Sequence, residues 1–389
     1  MYIEKNTETV IESSFTESAF AENTSFKKKE VKCAVNSFNE WDPLEEVIVG
    51  RLEGASFPAW KKINENTVPP GEWDELEKAA GGGGTHYPAT MVGAAQKCLD
   101  GFIHILKSEG VIVKRPDVVD YAKPFSSPDW SVSTGFCAAN PRDPFIVFGN
   151  EILETPMADR SRYFEAFAYR RLFKEYFKNG AKLTAAPRPQ LRDSLYDPNY
   201  TFPKEGEPLR LMLTEEEPVF DAADCVRCGK DVFIQKSQVT NDFGIEWLAR
   251  HLGSDYNVHV IEHRNPEAIH IDTTFMPLAP GKLLVSPDYI DITKLPSMFK
   301  TWDVIVAPEP VPTVNDPLKV ISKWGCINVL MLDEKRVIVE KRQTPLIKVL
   351  QSYGFEPIPC DFEAYFPFMG SFHCATLDVR RNGGLQSYF

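Results

Sequence analysis

No apolar run in this chain approaches the roughly 18 residues that a membrane helix requires, so no helical span is expected. Positive charge is in short supply. Across 389 residues, 43 Lys and Arg face 55 Asp and Glu, and the net charge of −12 argues against a broad nucleic-acid footprint. The eight cysteines lack a disulfide-framework spacing, and with no secretory signal they read as reduced thiols of a cytoplasmic protein. Cys225-Val-Arg-Cys228 has a zinc-like interval, but no second Cys or His pair accompanies it, so no metal is expected. His259-Val-Ile-Glu-His263 is not the H-E-x-x-H of metalloproteases and lies in a strand pattern. The glycine run 81–84 has neither a strand before it nor a Lys-Ser/Thr after it, which excludes a phosphate loop and leaves a flexible one. No G-x-G-x-x-G follows a strand, which counts against a dinucleotide-binding sheet. Arginine is absent from the first 32 residues, and their acidic groups argue against a mitochondrial presequence. A disordered tail is expected over 1–32 and a single domain over 33–389.

What the chain does contain is a repeated unit. Helical periodicity marks Met91–Glu109, Asp159–Lys178, Gly244–Leu252, Ile292–Lys300 and Thr344–Tyr353. The first, second and fifth close near Gly110, Gly180 and Gly354, favoured helix-stop residues. After each helix comes a strand: Val111–Pro116, Ala181–Pro187, Tyr256–Ile261, Trp302–Pro308 and Phe355–Pro359. A loop, a second short strand and usually a hairpin's far arm follow, the far arms being Pro144–Gly149, Asp231–Gln235, Lys282–Ser286 and Arg336–Glu340. The fifth unit lacks a far arm, and Glu46–Gly50, an orphan near the start, completes it. A unit split between the two ends closes a ring and protects sheet edges. The expected fold is therefore a five-bladed α/β propeller with pseudo-fivefold repeats around a central site. The alternating pattern also allows a doubly wound sheet, but the regular hairpins argue against it.

In such a ring the second strand of each blade should line the centre. Those strands are Ala139–Asp143, Phe220–Asp224, Ile269–Asp272, Ile321–Trp324 and Phe372–Cys374. Asp143, Asp221, Asp224, His270, Asp272 and Cys374 then converge on one axis. Carboxylates and imidazoles are costly to bury unless paired, so their convergence implies a cationic ligand and proton-transfer chemistry. Cys374 needs a His and a carboxylate to act as a nucleophile, and the repeat supplies both. Each residue also has a structural alternative: Cys374 as core filling, Asp143 as a turn cap, Asp221 or Asp224 as a hairpin brace, His270 as a satisfied core residue. The two-residue spacing of His270 and Asp272 puts both on one strand face, whereas His373 should point away from Cys374 and be structural.

At these residues the chain resembles the amidinotransferases, relatives of glycine amidinotransferase in the pentein superfamily. The matching stretches include Asn39-Glu-Trp-Asp-Pro-Leu-Glu-Glu-Val-Ile-Val-Gly50, Pro141-Arg-Asp143, Phe220-Asp-Ala-Ala-Asp224, Ser237-Gln-Val-Thr-Asn241, His270-Ile-Asp272, Asn328-Val-Leu-Met-Leu-Asp-Glu-Lys-Arg336 and Phe372-His-Cys374. The resemblance implies a five-bladed propeller, an L-arginine donor and a primary amine acceptor, with ornithine released and no cofactor. It makes Cys374 the nucleophile, His270 the general acid/base and Asp221 its carboxylate partner. Asp143 and Asp272 would hold the guanidinium, Ser322 would touch substrate, and Asp224 joins the substrate-binding set. Where glycine amidinotransferases carry an Arg, a Tyr and a first Ser, this chain has Tyr289, Cys137 and Ile321; beside the catalytic His, an Asn and a Met become Glu267 and Ile269. The pocket becomes more apolar and less cationic. In this it resembles the amidinotransferases of saxitoxin-type guanidinium-toxin pathways, as does the run Gly135-Phe-Cys-Ala-Ala-Asn-Pro-Arg-Asp143. The alternatives are a glycine amidinotransferase making guanidinoacetate, an arginine deiminase-like hydrolase, and a non-catalytic binding propeller. The expected partners are small molecules, not nucleic acid or membrane, and a homodimer is allowed.

Overall fold

Short apolar runs bounded by Gly, Asn and Pro fold into five three-stranded sheets. In this computed structural model the described residues are 33–389, apart from 60, 69–73, 75–76, 79–83, 205 and 315–317. The expected tail over 1–32 and most of the 81–84 glycine run lie outside them.

All five sheets share one plan: an antiparallel hairpin, then a strand that returns parallel to the hairpin's second arm. In the first, Phe145–Phe148 pairs with Glu151–Glu154, which pairs with Lys182–Ala185. The second uses Cys225–Cys228, Asp231–Ile234 and Asn257–Val260. Phe275–Ala279, Lys282–Val285 and Asp303–Val306 form the third. Leu330–Met331, Arg336–Glu340 and Glu356–Cys360 form the fourth. The fifth joins both ends of the described chain, as expected. Thr376–Arg381 runs antiparallel to Leu44–Val49, with Val47 facing Asp378, and Ile112–Lys114 runs parallel to Leu44–Val49. The hairpin arms Phe145–Phe148, Cys225–Cys228 and Asp231–Ile234 are buried along their whole length, while the outer strand Lys182–Ala185 is mostly exposed. The ring is thus dry at its centre and wet at its rim.

The helices Ala89–Ser108, Asp242–Leu252 and Thr344–Ser352 lie within about two residues of their expected bounds. Two expectations need correction. Asp159–Lys178 is helical in the α sense only over Arg170–Lys178, preceded by a 3-10 turn at Glu165–Tyr169. Ile292–Lys300 is not one helix but two 3-10 turns, Ile292–Lys294 and Ser297–Thr301. Pro296 stands between them with no N–H to continue a ladder.

A third correction bears on the site. The inner lining is not made of strands. Its segments are tight turns or 3-10 turns, Ala222–Asp224, Ile271–Thr273, Lys323–Ile327 and the turns at 141–144 and 372–375, each feeding directly into a hairpin's first arm. Accordingly Pro144–Gly149 contains a first arm, and the far arm of that blade is Glu151–Glu154. Short polar side chains that bond nearby amides favour turns over ladders; Ser322, for example, accepts from the Trp324 amide. No helix among the described residues is long and apolar enough to cross a membrane.

Candidate active site

The five lining turns carry the polar residues of the repeat to the axis. Cys374 lies in the turn before the fifth hairpin, 3% exposed. Asn328, from the turn before the fourth hairpin, holds it. Its Oδ1 accepts the amide N–H groups of His373 at 2.9 Å and Cys374 at 3.3 Å, and its Nδ2 donates to Cys374 Sγ at 3.0 Å. The thiol in turn donates to Asp272 Oδ2 at 3.3 Å. Burial, and then the charge of Asp272, push the Cys374 thiol up to about 12.

His270 occupies the extended residue that opens the third turn. Its Nε2 donates to Asp221 Oδ2 at 3.3 Å, and its Nδ1 lies 3.8 Å from Asp143 Oδ1. Burial works against a charged imidazole, but Asp143, the Asp221 hydrogen bond and Cys374 outweigh it and raise His270 well above its ordinary value. One oxygen each of Asp143, Asp221 and Asp272 is buried with no hydrogen-bond partner among the described residues. Leaving such acceptors bare is costly, and a planar cation rich in N–H groups satisfies them.

Arg162, absent from the expected site residues, closes the floor. It bonds Asp143 at 2.7 Å and Glu165 at 2.9 and 3.0 Å, lies 3.7 Å from Asp221, and covers the Phe136 ring at 5.6 Å. It falls in a stretch that reads as amphipathic helix, so no local signal distinguishes it. Asn328 was visible only as part of a motif. Donor atoms of Asp143, His270 and Cys374 all lie within 4.8 Å of one another, close enough for a metal ion. Asp143 already has a cation on it, the Arg162 guanidinium at 2.7 Å, so this oxygen cluster is charge-paired without an ion.

Above the floor opens a pocket lined by Glu267, Ile269, Tyr289, Ile321, Ser322 and Met369, among others. Tyr289 and Ser322 share a hydrogen bond of 3.0 Å between their hydroxyl oxygens, and burial raises the Glu267 carboxyl. Of the twelve expected residues, eight line this pocket: Cys374, His270, Asp272, Ser322, Glu267, Ile269, Tyr289 and Ile321. Asp143 and Asp221 lie beneath it against His270. The other two are not brought to it. Cys137 is packed in the hydrophobic core, and Asp224 is spent on Gln235 Nε2 at 3.0 Å, Ser237 Oγ at 2.6 Å and the Thr240 hydroxyl. His373 was expected to point away from the thiol, but its ring shares Asp272 Oδ2 with Cys374 and bridges that carboxylate to Glu40.

Five small mixed sheets around a buried cysteine, histidine and carboxylates define the pentein fold, and this chain has it. No family model matches the chain. It is 48% identical over 354 residues to the L-arginine:L-lysine amidinotransferase of Pseudomonas savastanoi pv. phaseolicola, covering 91% of this chain and 96% of that one. Against the mitochondrial glycine amidinotransferase of Gallus gallus it is 46% identical over 369 residues, 92% of this chain and 85% of the other. Among solved structures it superposes with a TM-score of 0.88 and 60% identity on SxtG, an amidinotransferase from Microseira wollei in the saxitoxin biosynthetic pathway, over 92% of this chain and 100% of that one. The chain belongs to the amidinotransferase family. It is an enzyme that uses arginine as amidino donor and an amine as acceptor.

Proposed function

We propose that the acceptor is a primary amine of a guanidinium toxin or related natural product, and that the amidino group travels on Cys374. The orphaned oxygens of Asp143 and Asp272, facing a buried thiol, carry this reading. They suit arginine's guanidinium, whose carbon then sits within reach of Sγ. As arginine's positive charge binds, Cys374 loses its proton to solvent, and the thiolate attacks that carbon. His270, held in its cationic form, gives its proton to the departing nitrogen, the C–N bond breaks, and ornithine leaves an amidino-cysteine and a neutral imidazole behind. When the acceptor amine enters, His270 takes its proton, the nitrogen bonds to the amidino carbon, and the C–S bond breaks. Asp221 orients His270 and supports its cationic form. Apart from the thiol's proton, all of these steps use groups of the chain alone.

The mouth of the pocket supports an acceptor without a carboxylate. Among the described lining residues there is no Lys or Arg, and Ile269, Val320, Ile321 and Met369 offer apolar walls. The eight free cysteines fit a reducing, cytoplasmic setting. The test is mass spectrometry of the intact protein with arginine and no acceptor. A gain of one amidino group with release of ornithine is expected, and neither event in Cys374→Ser. Normal turnover by the serine variant would sink the mechanism.

A further inference from the structure

The mechanism uses Asp272 but does not say what aims it. Asp272 makes two hydrogen bonds through one oxygen: Oδ2 accepts from His373 Nδ1 at 2.8 Å and from the thiol at 3.3 Å. Its Oδ1 is buried with no hydrogen-bond partner among the described residues, and Asp272 lines the pocket. A carboxylate pinned at one oxygen has its plane, and so the direction of its other oxygen, fixed by that partner. The stronger pin here is the imidazole of His373. Its far nitrogen, Nε2, lies 3.2 Å from Glu40 Oε2.

Glu40 is itself immobile. Arg227 grips it with Nε at 2.8 Å and Nη2 at 2.9 Å, the Arg227 amide donates at 3.1 Å, and Arg142 Nη1 reaches it at 3.3 Å. Both arginines also form ion pairs with Asp378 at 2.7 Å, and every one of these groups is buried. Burial alone would raise Glu40, but Arg227, Arg142 and the His373 bond hold its carboxyl well below the usual range. The same balance, with His373 as the first opposing cause after burial, lowers Asp272. These groups come from distant parts of the chain: Glu40 from the segment before the first strand, Arg142 and Arg227 from the first and second blades, His373 from the fifth, Asp272 from the third.

We infer that Glu40 and His373 are positioning residues for the amidino transfer, a buried chain that runs from the base of the ring through the imidazole to the carboxylate that grips the guanidinium. The inference rests on the proposed role of Asp272. Neither residue touches substrate; each acts by fixing where Asp272 Oδ1 points. Small displacements of a reacting group cost rate steeply, about 10²-fold for an ångström. A side chain whose work is only structural would lower the melting temperature and leave the kinetics of the folded protein alone.

The experiment measures ornithine release from arginine by His373→Leu, His373→Asn, Glu40→Gln, Asp272→Asn and the double variant His373→Leu with Asp272→Asn, with each folded fraction determined separately. His373→Leu is expected to lower kcat/KM for arginine by roughly 10- to 100-fold per folded molecule, with KM raised as well as kcat lowered. His373→Asn, whose amide nitrogen takes the place of Nδ1 and keeps an N–H for Asp272, should recover part of the loss. In the double variant, adding His373→Leu to Asp272→Asn should cost less than about twofold more, because the imidazole acts through the carboxylate. Multiplying losses in that double variant would overturn the inference, as would unchanged kinetics in both His373 variants. Failure of all the His373 and Glu40 variants to fold would assign the chain to folding and overturn it too. If Asp272→Asn itself turns over arginine normally, it is the proposed role of Asp272 that fails.

Discussion

A thiol next to a carboxylate ionises less readily than one in water, and Cys374 sits in that position against Asp272. With the thiol pushed up to about 12 by burial and Asp272, the free enzyme holds almost no thiolate near neutrality. Peptide-resolved alkylation by iodoacetamide should therefore be slow at Cys374 near neutral pH and still rising above about pH 10, where an ordinary cysteine has levelled off. A plateau below about pH 9 would show that the cluster activates the thiol without substrate. An alkylguanidine, which brings a positive charge to Asp143 and Asp272, should accelerate the reaction at neutral pH. On the proposed reading, Tyr289 governs the other substrate. A charge-assisted hydrogen bond is worth about 1.5–3 kcal/mol, roughly ten- to a hundredfold in affinity. Glycine, with little but its carboxylate to hold, should accordingly be a poorer acceptor than an alkyl or amino-ketone amine of several carbons. Tyr289→Arg should raise kcat/KM for glycine by roughly tenfold or more. Preference for glycine by the unmodified enzyme, measured as kcat/KM over an amine panel including lysine, would return the chain to guanidinoacetate synthesis.

At the scale of the element, the lining turns decide which polar residues reach the pocket. Alternation along a strand would have put Asp221 and Asp224 on opposite faces, and His270 and Asp272 on one. The 3-10 turns reach the same separation by another geometry: Asp221 stays extended and points at His270, while Asp224 turns back onto its own hairpin's far side. Burial there raises the Asp224 carboxyl from 3.8 to about 7. Between those values the folded chain binds a proton that the unfolded chain releases. This group's contribution to stability is therefore full below the ordinary carboxylate value and lost as the pH rises through about 7. Asp224→Asn has no such proton. The variant should lose stability relative to the parent by most near pH 5, and the gap should narrow by up to a few kcal/mol by about pH 8. Thermal melts of both proteins across that range check it, and a gap independent of pH would show that Asp224 is ionised in the fold.

At the scale of the whole molecule, the ring closes by pairing its two ends, and the segment before the first strand plugs its base. Asn36, Ser37 and Glu40 bond Arg381, Asp378 and Arg227. A chain beginning at Cys33 is expected to melt and turn over arginine like the full one. A chain beginning at Leu44 strips Glu40 from Arg142 and Arg227; leaving buried charges unpaired costs about 3–5 kcal/mol. Equal melting temperatures for the two truncations would contradict this account of the plug. The ring itself was legible in the sequence, because helix and strand periods are local and a repeat reports them five times. So was the set of Cys374, His270, Asp272, Asp143 and Asp221, because desolvation makes such residues conspicuous at matching places of a repeat. Three things were decided only by tertiary structure. Cys137 went to the core and Asp224 to its hairpin, Arg162 came from a helix-like stretch to close the floor, and His373 proved to be tied to Glu40. Each depends on which side chains meet in space, from Asp224 and Ser237 on one hairpin to His373 and Glu40, 333 residues apart. No local period encodes such a meeting; it exists only once the five blades have closed and buried charges have had to find partners.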